Sequence, residues 1–166
     1  IIKLLTLKDK HILIVGDYDC DGICATTITK RLLEHLGINN SYYIPSRIDE
    51  GYGLSEKIVS IAHKHHYDVI ITVDNGVSAT SSISLANSLG IKVMIIDHHE
   101  YVDIPDCYGF IHPNLLDKDF NKLSAGALCY LLSTLFYEDD YSLVLGGLSI
   151  LSDMVGVLNY NRYLLK

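Results

Sequence analysis

The 166 residues, 49% of them hydrophobic, suffice for one ordinary domain with a real core and leave little room for two. Net charge is −7, from 20 acidic and 13 basic side chains, which makes the chain a poor stand-alone electrostatic trap for a phosphate backbone. That balance weighs less against an enzyme whose carboxylates hold divalent cations, because each ion cancels two negative charges where a substrate phosphate would sit.

From the N-terminus, Ile1-Ile2-Lys3-Leu4-Leu5 lacks the pattern of a signal peptide and reads as the start of a clipped or partial chain. Strand-like β-branched runs then alternate with stretches of helical period. A strand is expected over 11–15, a helix over 23–36, a strand over 41–44 and a helix over 54–65. A buried strand follows over 68–74, a helix over 78–89 and another buried strand over 91–97. After a loop containing Pro105 and Pro113, helices are expected over 124–136 and 142–150. Repeated βα units imply an α/β fold, a mostly parallel sheet flanked by helices, here with a helical C-terminal part. The apolar runs are far shorter than the roughly 20 residues that cross a bilayer, so no membrane partner is expected. Cys20, Cys24, Cys107 and Cys129 form no CxxC pair; they read as reduced thiols of a cytoplasmic protein, not as a zinc site or a disulfide framework.

In open α/β sheets chemistry gathers at the carboxyl ends of the strands, and three of those ends carry acid. The first runs into Asp17-Tyr18-Asp19-Cys20-Asp21-Gly22. If that backbone stays extended, its three carboxylates point to one side, an arrangement that is costly without cations and becomes an oxygen-rich site with Mg²⁺ or Mn²⁺. An EF-hand begins the same way, but Ile28 occupies its closing Glu position and a strand precedes the loop. The third strand ends on Asp74, which fits either a helix N-cap or a ligand bridging two ions. The fourth ends on Asp97-His98-His99, where adjacent imidazoles diverge and suit one metal ligand and one substrate-facing donor. His65-His66, with no acid nearby, reads as a solvated helix end. Asp153, among apolar residues, is either a ligand or a helix cap. Arg47 can clamp phosphate bidentately or pair with Asp49 and Glu50 on the surface.

Taken in order, Gly16 to Thr26, Val73-Asp74-Asn75-Gly76, Asp97-His98-His99 and Asp153 resemble the four metal motifs of the DHH phosphoesterases. Tyr43-Ile44-Pro45-Ser46-Arg47, Glu50-Gly51-Tyr52-Gly53-Leu54, Ser124-Ala125-Gly126 and Asn161-Arg162 are similar to the RecJ-like branch, whose members degrade single-stranded DNA from 5′ to 3′. The resemblance runs from about residue 10 to the end. It implies two ions, Mn²⁺ or Mg²⁺, one held by Asp17, Asp19 and Asp74, the other by Asp21, Asp74, His98 and Asp153. Asp97 would orient the metal-bound imidazole from behind, while His99 and Arg47 would contact the scissile phosphate. His112, Asn114, Ser124, Gly126 and Arg162 are weaker candidates for substrate contact. Backbone amides after Gly22 and at 124–126 are expected to hold phosphate oxygens. The implied reaction is metal-assisted hydrolysis of a phosphodiester in single-stranded nucleic acid. Alternatives are a DHH enzyme for short oligonucleotides, cyclic dinucleotides or polyphosphate, and a non-catalytic scaffold. Family members carry a second, substrate-gripping domain, so residues 1–166 are expected to be one DHH domain, as a fragment or a reduced form, with that C-terminal domain or a protein partner missing.

Overall fold

Five strands, β1 (Ile12–Val15), β2 (Asn40–Tyr43), β3 (Val69–Val73), β4 (Lys92–Ile96) and β5 (Gly109–Ile111), form one sheet in the computed structural model, which describes residues 2–166. Their order is β2-β1-β3-β4-β5, and every neighbouring pair runs parallel. β1 and β3 are buried at every position, as runs of Ile and Val without polar alternation require when helices cover both faces. Successive side chains serve opposite layers. Ile12, Ile14, Ile71 and Val73 join one core with Ile28, Leu32, Leu128 and Ile150, whereas Leu13, Val15, Ile70 and Ile95 join the other with Ile58, Val59 and Ile83.

The first core lies beneath α2 (Cys20–His35), α5 (Ala125–Ser133) and α6 (Asp140–Ser152); the second lies beneath α3 (Glu56–Lys64) and α4 (Thr80–Ser88). Short helices α1 (Ile2–Leu5) and α7 (Asn159–Leu164) complete the chain. The expected parallel sheet flanked by helices is present, with strands β1 to β4 and helices α3 to α6 within a few residues of their expected bounds. Three differences stand out. α2 starts at Cys20, three residues before the expected Ile23, because Asp19 caps it; β5, only three half-buried residues long, and the terminal helices α1 and α7 left no periodic signal. His65 and His66 are exposed at the end of α3, as expected of a solvated helix end. Among the described residues no helix is long and apolar enough to cross a membrane.

Strand order reverses at β1: the chain goes first to β2 on one side and then to β3, β4 and β5 on the other. Connections therefore diverge above the carboxyl ends of β1 and β3 and leave a crevice there. The helical layer beside it is tied by Arg31 of α2, whose Nε and Nη2 donate to the two carboxylate oxygens of Asp139 at 2.7 and 2.9 Å, just ahead of α6. This bidentate pairing holds the Asp139 carboxyl well below the usual carboxylate range. A depressed pKa contributes stability that is complete above about pH 4, the ordinary Asp value, and is lost as pH falls through the lower folded value. Because Arg31 is partly exposed, Asp139→Asn is expected to cost only about 0.5–1 kcal/mol at neutral pH. Thermal melts of the two proteins should differ by about 1–4 °C at pH 7 and converge as the solution is acidified.

Candidate metal centre

The acidic loop is not extended throughout, contrary to the expectation from its alternation. Asp17 leaves β1 and is buried, Asp19 is the N-cap of α2 with its Oδ1 accepting from the Gly22 amide at 2.9 Å, and Asp21 already lies in the first helical turn. A strand end, a cap and a helical turn thus deliver the three carboxylates to one place. Gly22 makes the tight turn possible, since a Cβ there would approach the Asp17 carbonyl oxygen to 2.7 Å. Two of the helix-start amides are already in use: those of Gly22 and Ile23 donate to the side chain and the carbonyl of Asp19.

Asp74 stands at the end of β3 in the left-handed region, φ 61°, a conformation costly for a residue with a Cβ and held here from several sides. Its amide donates to the Ile96 carbonyl, and its own carbonyl accepts from the Tyr52 hydroxyl at 2.8 Å. Next to it, fully buried Asn75 donates to the carbonyls of Val15 and Val73 and accepts from the Leu54 amide, so it stitches β1, β3 and the 52–54 loop together. Neither Tyr52 nor Asn75 was singled out from the sequence as a support of the site. Their only signals are glycines flanking the tyrosine and the place of the asparagine directly after a strand-end acid.

Three groups of side chains converge. Asp17, Asp19 and Asp74 have carboxylate oxygens within 4.8 Å of one another, as do the ligand atoms of Asp21, His98 and Asp153, and of Asp74, His98 and His99. His98 Nε2 lies 3.2 Å from Asp74 Oδ1, 3.6 Å from Asp21 Oδ2 and 3.7 Å from Asp153 Oδ2. The Asp74 approach is close enough for charge attraction but poorly aligned for a hydrogen bond, so His98 Nε2 and Asp74 Oδ1 are both buried without a hydrogen-bond partner among the described residues, and Asp17 Oδ1 is likewise. Burial pushes the carboxyls of Asp17 and Asp21 up and that of Asp74 up to about 7. Burial opposes the charged form of His98, but the surrounding carboxylates prevail and raise it.

The remaining expected residues divide. Asp97, fully buried, does not orient His98: its Oδ1 meets His99 Nδ1 at 2.7 Å and accepts from the amides of His98 and His99, while Oδ2 accepts from Val77. The hydrogen bond that Asp97 accepts from the ring raises His99 to about 9, so this imidazole is cationic at neutral pH. His112 is not a substrate-facing group; it is buried, pairs through Nε2 with the His99 carbonyl at 2.9 Å, and accepts from the Asn114 amide through Nδ1. Ser124 and Gly126 also serve the protein: Ser124 pairs with Ser149, and the amides of Ala125 and Gly126 donate to the Asp21 carboxylate at 2.8 and 2.7 Å. Those donors are therefore turned toward a carboxylate, away from any phosphate. Arg47 places its guanidinium 5.4 Å from the Tyr18 ring centre, while Glu50 is taken by Lys57 and Tyr43. Among the described residues no ion pair joins Arg47 to Asp49 or Glu50, which bond to Ser46 and to Lys57 and Tyr43. Asn114 lines a cleft of about 360 Å³ together with His98 and Lys122. Arg162 is exposed on α7 and takes part in none of the site's hydrogen bonds or ion pairs among the described residues.

A hard oxygen-and-imidazole donor set, with buried carboxylate atoms unsatisfied by protein donors, fits Mg²⁺ or Mn²⁺. Among the described residues no cysteine belongs to the converging groups, and burial pushes the nearby Cys24 thiol up to about 12.

Residues 11–148 match the family model described as the DHH family, N-terminal domain. The single-stranded-DNA-specific exonuclease RecJ of Escherichia coli (strain K12) is 35% identical over 159 residues, which are 89% of this chain and 28% of that protein. The RecJ of Bacillus subtilis (strain 168) is 31% identical over 166 residues, 97% of this chain and 21% of that protein. This chain thus spans about a fifth to three tenths of the curated relatives it matches. A crystal structure of exonuclease RecJ bound to manganese superposes with a TM-score of 0.84 at 28% identity, covering 98% of this chain and 44% of the other. With its sheet, its strand-end acids and more than four fifths of its length matched, the chain belongs to the DHH family.

Proposed function

We propose that residues 1–166 form a two-cation phosphodiesterase domain that acts as a 5′-to-3′ exonuclease on single-stranded DNA, in the cytoplasm. The observation that carries this reading is the junction of two ligand groups at one strained carboxylate. Asp74 belongs to the Asp17–Asp19 group and lies 3.2 Å from His98 of the Asp21–Asp153 group. In this reading Asp17, Asp19 and Asp74 hold one Mn²⁺ or Mg²⁺ and Asp21, Asp74, His98 and Asp153 hold the other, with Asp74 shared. Two such ions supply Lewis-acid charge to the phosphate oxygens and lower the pKa of an attacking water. The printed specificity of the RecJ relatives for single-stranded DNA supports the substrate class, and four free thiols accord with a reducing compartment.

The chain's own residues divide the remaining work. The α5 amides fix the Asp21 carboxylate so that it cannot swing from its place, and the Tyr52 hydroxyl and the Ile96 carbonyl pin the backbone of Asp74. His99, kept cationic by Asp97, offers a charged donor to a non-bridging phosphate oxygen in a site that is otherwise strongly acidic. Arg47, free of acid partners among the described ion pairs, presents a planar donor fork at the Tyr18 side. Asn114 and Lys122 extend the polar surface along the cleft from His98.

Calorimetric titration with MnCl₂ is expected to show two ions bound to the chain and a loss of at least tenfold in affinity in Asp74→Asn, which keeps side-chain shape and tolerates a left-handed backbone. Degradation of 5′-phosphorylated single-stranded DNA should require Mn²⁺ or Mg²⁺, stop with EDTA and proceed from the 5′ end. A wild-type chain that takes up no divalent metal overturns the reading; cleavage of dinucleotides or polyphosphate but not of DNA moves the substrate to a smaller phosphoester.

The His99 imidazole provides a separate check. Its raised pKa means a stabilising contribution that is complete below about 6.5, its unfolded value, and is lost as pH rises through about 9. In metal-free protein, an NMR titration should show His99 protonated at pH 8, and Asp97→Asn should return its midpoint toward 6.5. A wild-type midpoint near 6.5 would show that Asp97 does not hold the ring as an ion pair.

A further inference from the structure

Among the buried polar side chains outside the metal centre, one joins two loops that flank it. Asn161 of α7 is 2% exposed. Its amide nitrogen donates to the carbonyl of Lys122 at 2.8 Å and to the carbonyl of Gly156 at 2.9 Å. These two acceptors fix the orientation of the amide, since the opposite one would face its oxygen with two carbonyl oxygens. Asn161 Oδ1 is left buried without a partner among the described residues. A buried acceptor without a donor is a cost, so this side chain is kept for what its nitrogen holds.

Both held loops lead to one half of the metal centre. Lys122 stands two residues before Ser124, the N-cap of α5, and the next two amides of that helix grip Asp21 at 2.8 and 2.7 Å. Gly156 stands three residues after Asp153, across Met154 in the left-handed region at φ 55°. Ser149, one turn before Asp153, pairs with Ser124, so the start of α5 and the end of α6 are already in register when Asn161 closes the loops beyond them. Asp17, Asp19 and Asp74 depend on β1, the start of α2 and β3. None of their hydrogen bonds among the described residues involves residues 118–166.

Resting on the two-cation reading above, we infer that Asn161 is a positioning residue for the cation held by Asp21, His98 and Asp153, and has no part in holding the one at Asp17 and Asp19. It acts at a distance, by fixing the segments that aim Asp21 and Asp153 at His98. Removing the amide leaves the two loops unlinked, while the strand-end carboxylates stay where the sheet puts them.

The test is a manganese titration of the full chain by calorimetry, with spin counting of bound Mn²⁺, on wild type, Asn161→Ala and Asn161→Asp. Asn161→Ala removes both hydrogen bonds; Asn161→Asp keeps the volume but sets a carboxylate against two carbonyls. Leu164→Ala, a buried apolar truncation on the same helix, supplies a comparison of similar instability without loss of the link. Wild type and Leu164→Ala should bind two ions. Both Asn161 variants should keep one at wild-type affinity and bind the second about 10–100-fold more weakly, the range seen when a ligand's supporting partner is removed. Retention of both ions at wild-type affinity, equal weakening of both, or the same selective loss in Leu164→Ala overturns the inference. If Asn161→Asp does not fold, as circular dichroism will show, Asn161→Ala alone decides. A wild type that binds fewer than two ions would instead overturn the two-cation reading on which the inference stands.

Discussion

Like-charge crowding above β1 and β3 is the constraint around which the rest of the molecule is organised. Asp17, Asp21 and Asp74 are nearly or fully buried, and Asp19 and Asp153 stand beside them. Uncompensated, such a group would take up protons or push its strands apart. The fold answers with partial charges that cost no extra ions. Two α5 amides face Asp21, the first-turn amide of Gly22 faces Asp19, and the His98 ring sits among Asp21, Asp74 and Asp153. Oδ1 of Asp17 and Oδ1 of Asp74 receive no donor among the described residues, and burial pushes the Asp74 carboxyl up to about 7. The protein therefore compensates the crowding only in part, and the remainder is the part suited to cations.

This division follows the layers of the fold. The strand ends supply Asp17 and Asp74, while Asp21, Asp153 and the amides that aim Asp21 come from α2, α6 and α5, packed together over one face of the sheet. The opposite layer contributes only support, through Leu54 on Asn75 and Val77 on Asp97. One half of the centre is consequently as rigid as a buried parallel sheet. The other half is as accurate as the packing of three helices, and that is where linking side chains such as Asn161 matter.

The sheet was legible because β1, β3 and β4 are short apolar runs that end on acid, a pattern produced by strands buried on both faces whose tips reach solvent. The acids Asp17, Asp74 and Asp97 stood out for the same reason, as strand tips, whereas Asp21, in the first turn of α2, and Asp153, at the end of α6, stood out by their acidic or apolar neighbours. What could not be read was which backbone groups these side chains would consume. Ala125 and Gly126 look like a phosphate cradle until Asp21, more than a hundred positions earlier, is found against their amides. His112 looks like a substrate contact until its ring is found stacked on Phe110 with both nitrogens in use. The extended reading of the acidic loop failed locally. Asp19 is at once a member of the acidic cluster and a good helix N-cap, and the capping tendency wins, turning the chain before Asp21.

Asp97, His98 and His99 show how adjacent residues acquire opposite roles. Asp97 closes β4 with its carboxylate turned inward, where it accepts from the next two amides and from the His99 ring. Those backbone bonds curl the chain around one oxygen, so the two imidazoles part, with planes 54° apart and centres 4.7 Å apart. His99 is then tied to a carboxylate of its own and carries charge. His98 has no such partner among the described residues and directs Nε2 to Asp21, Asp74 and Asp153. A pair of histidines at a strand end is thus not a pair of equivalent groups: the acid before them engages the His99 ring, while the His98 ring faces the carboxylates of the acidic cluster.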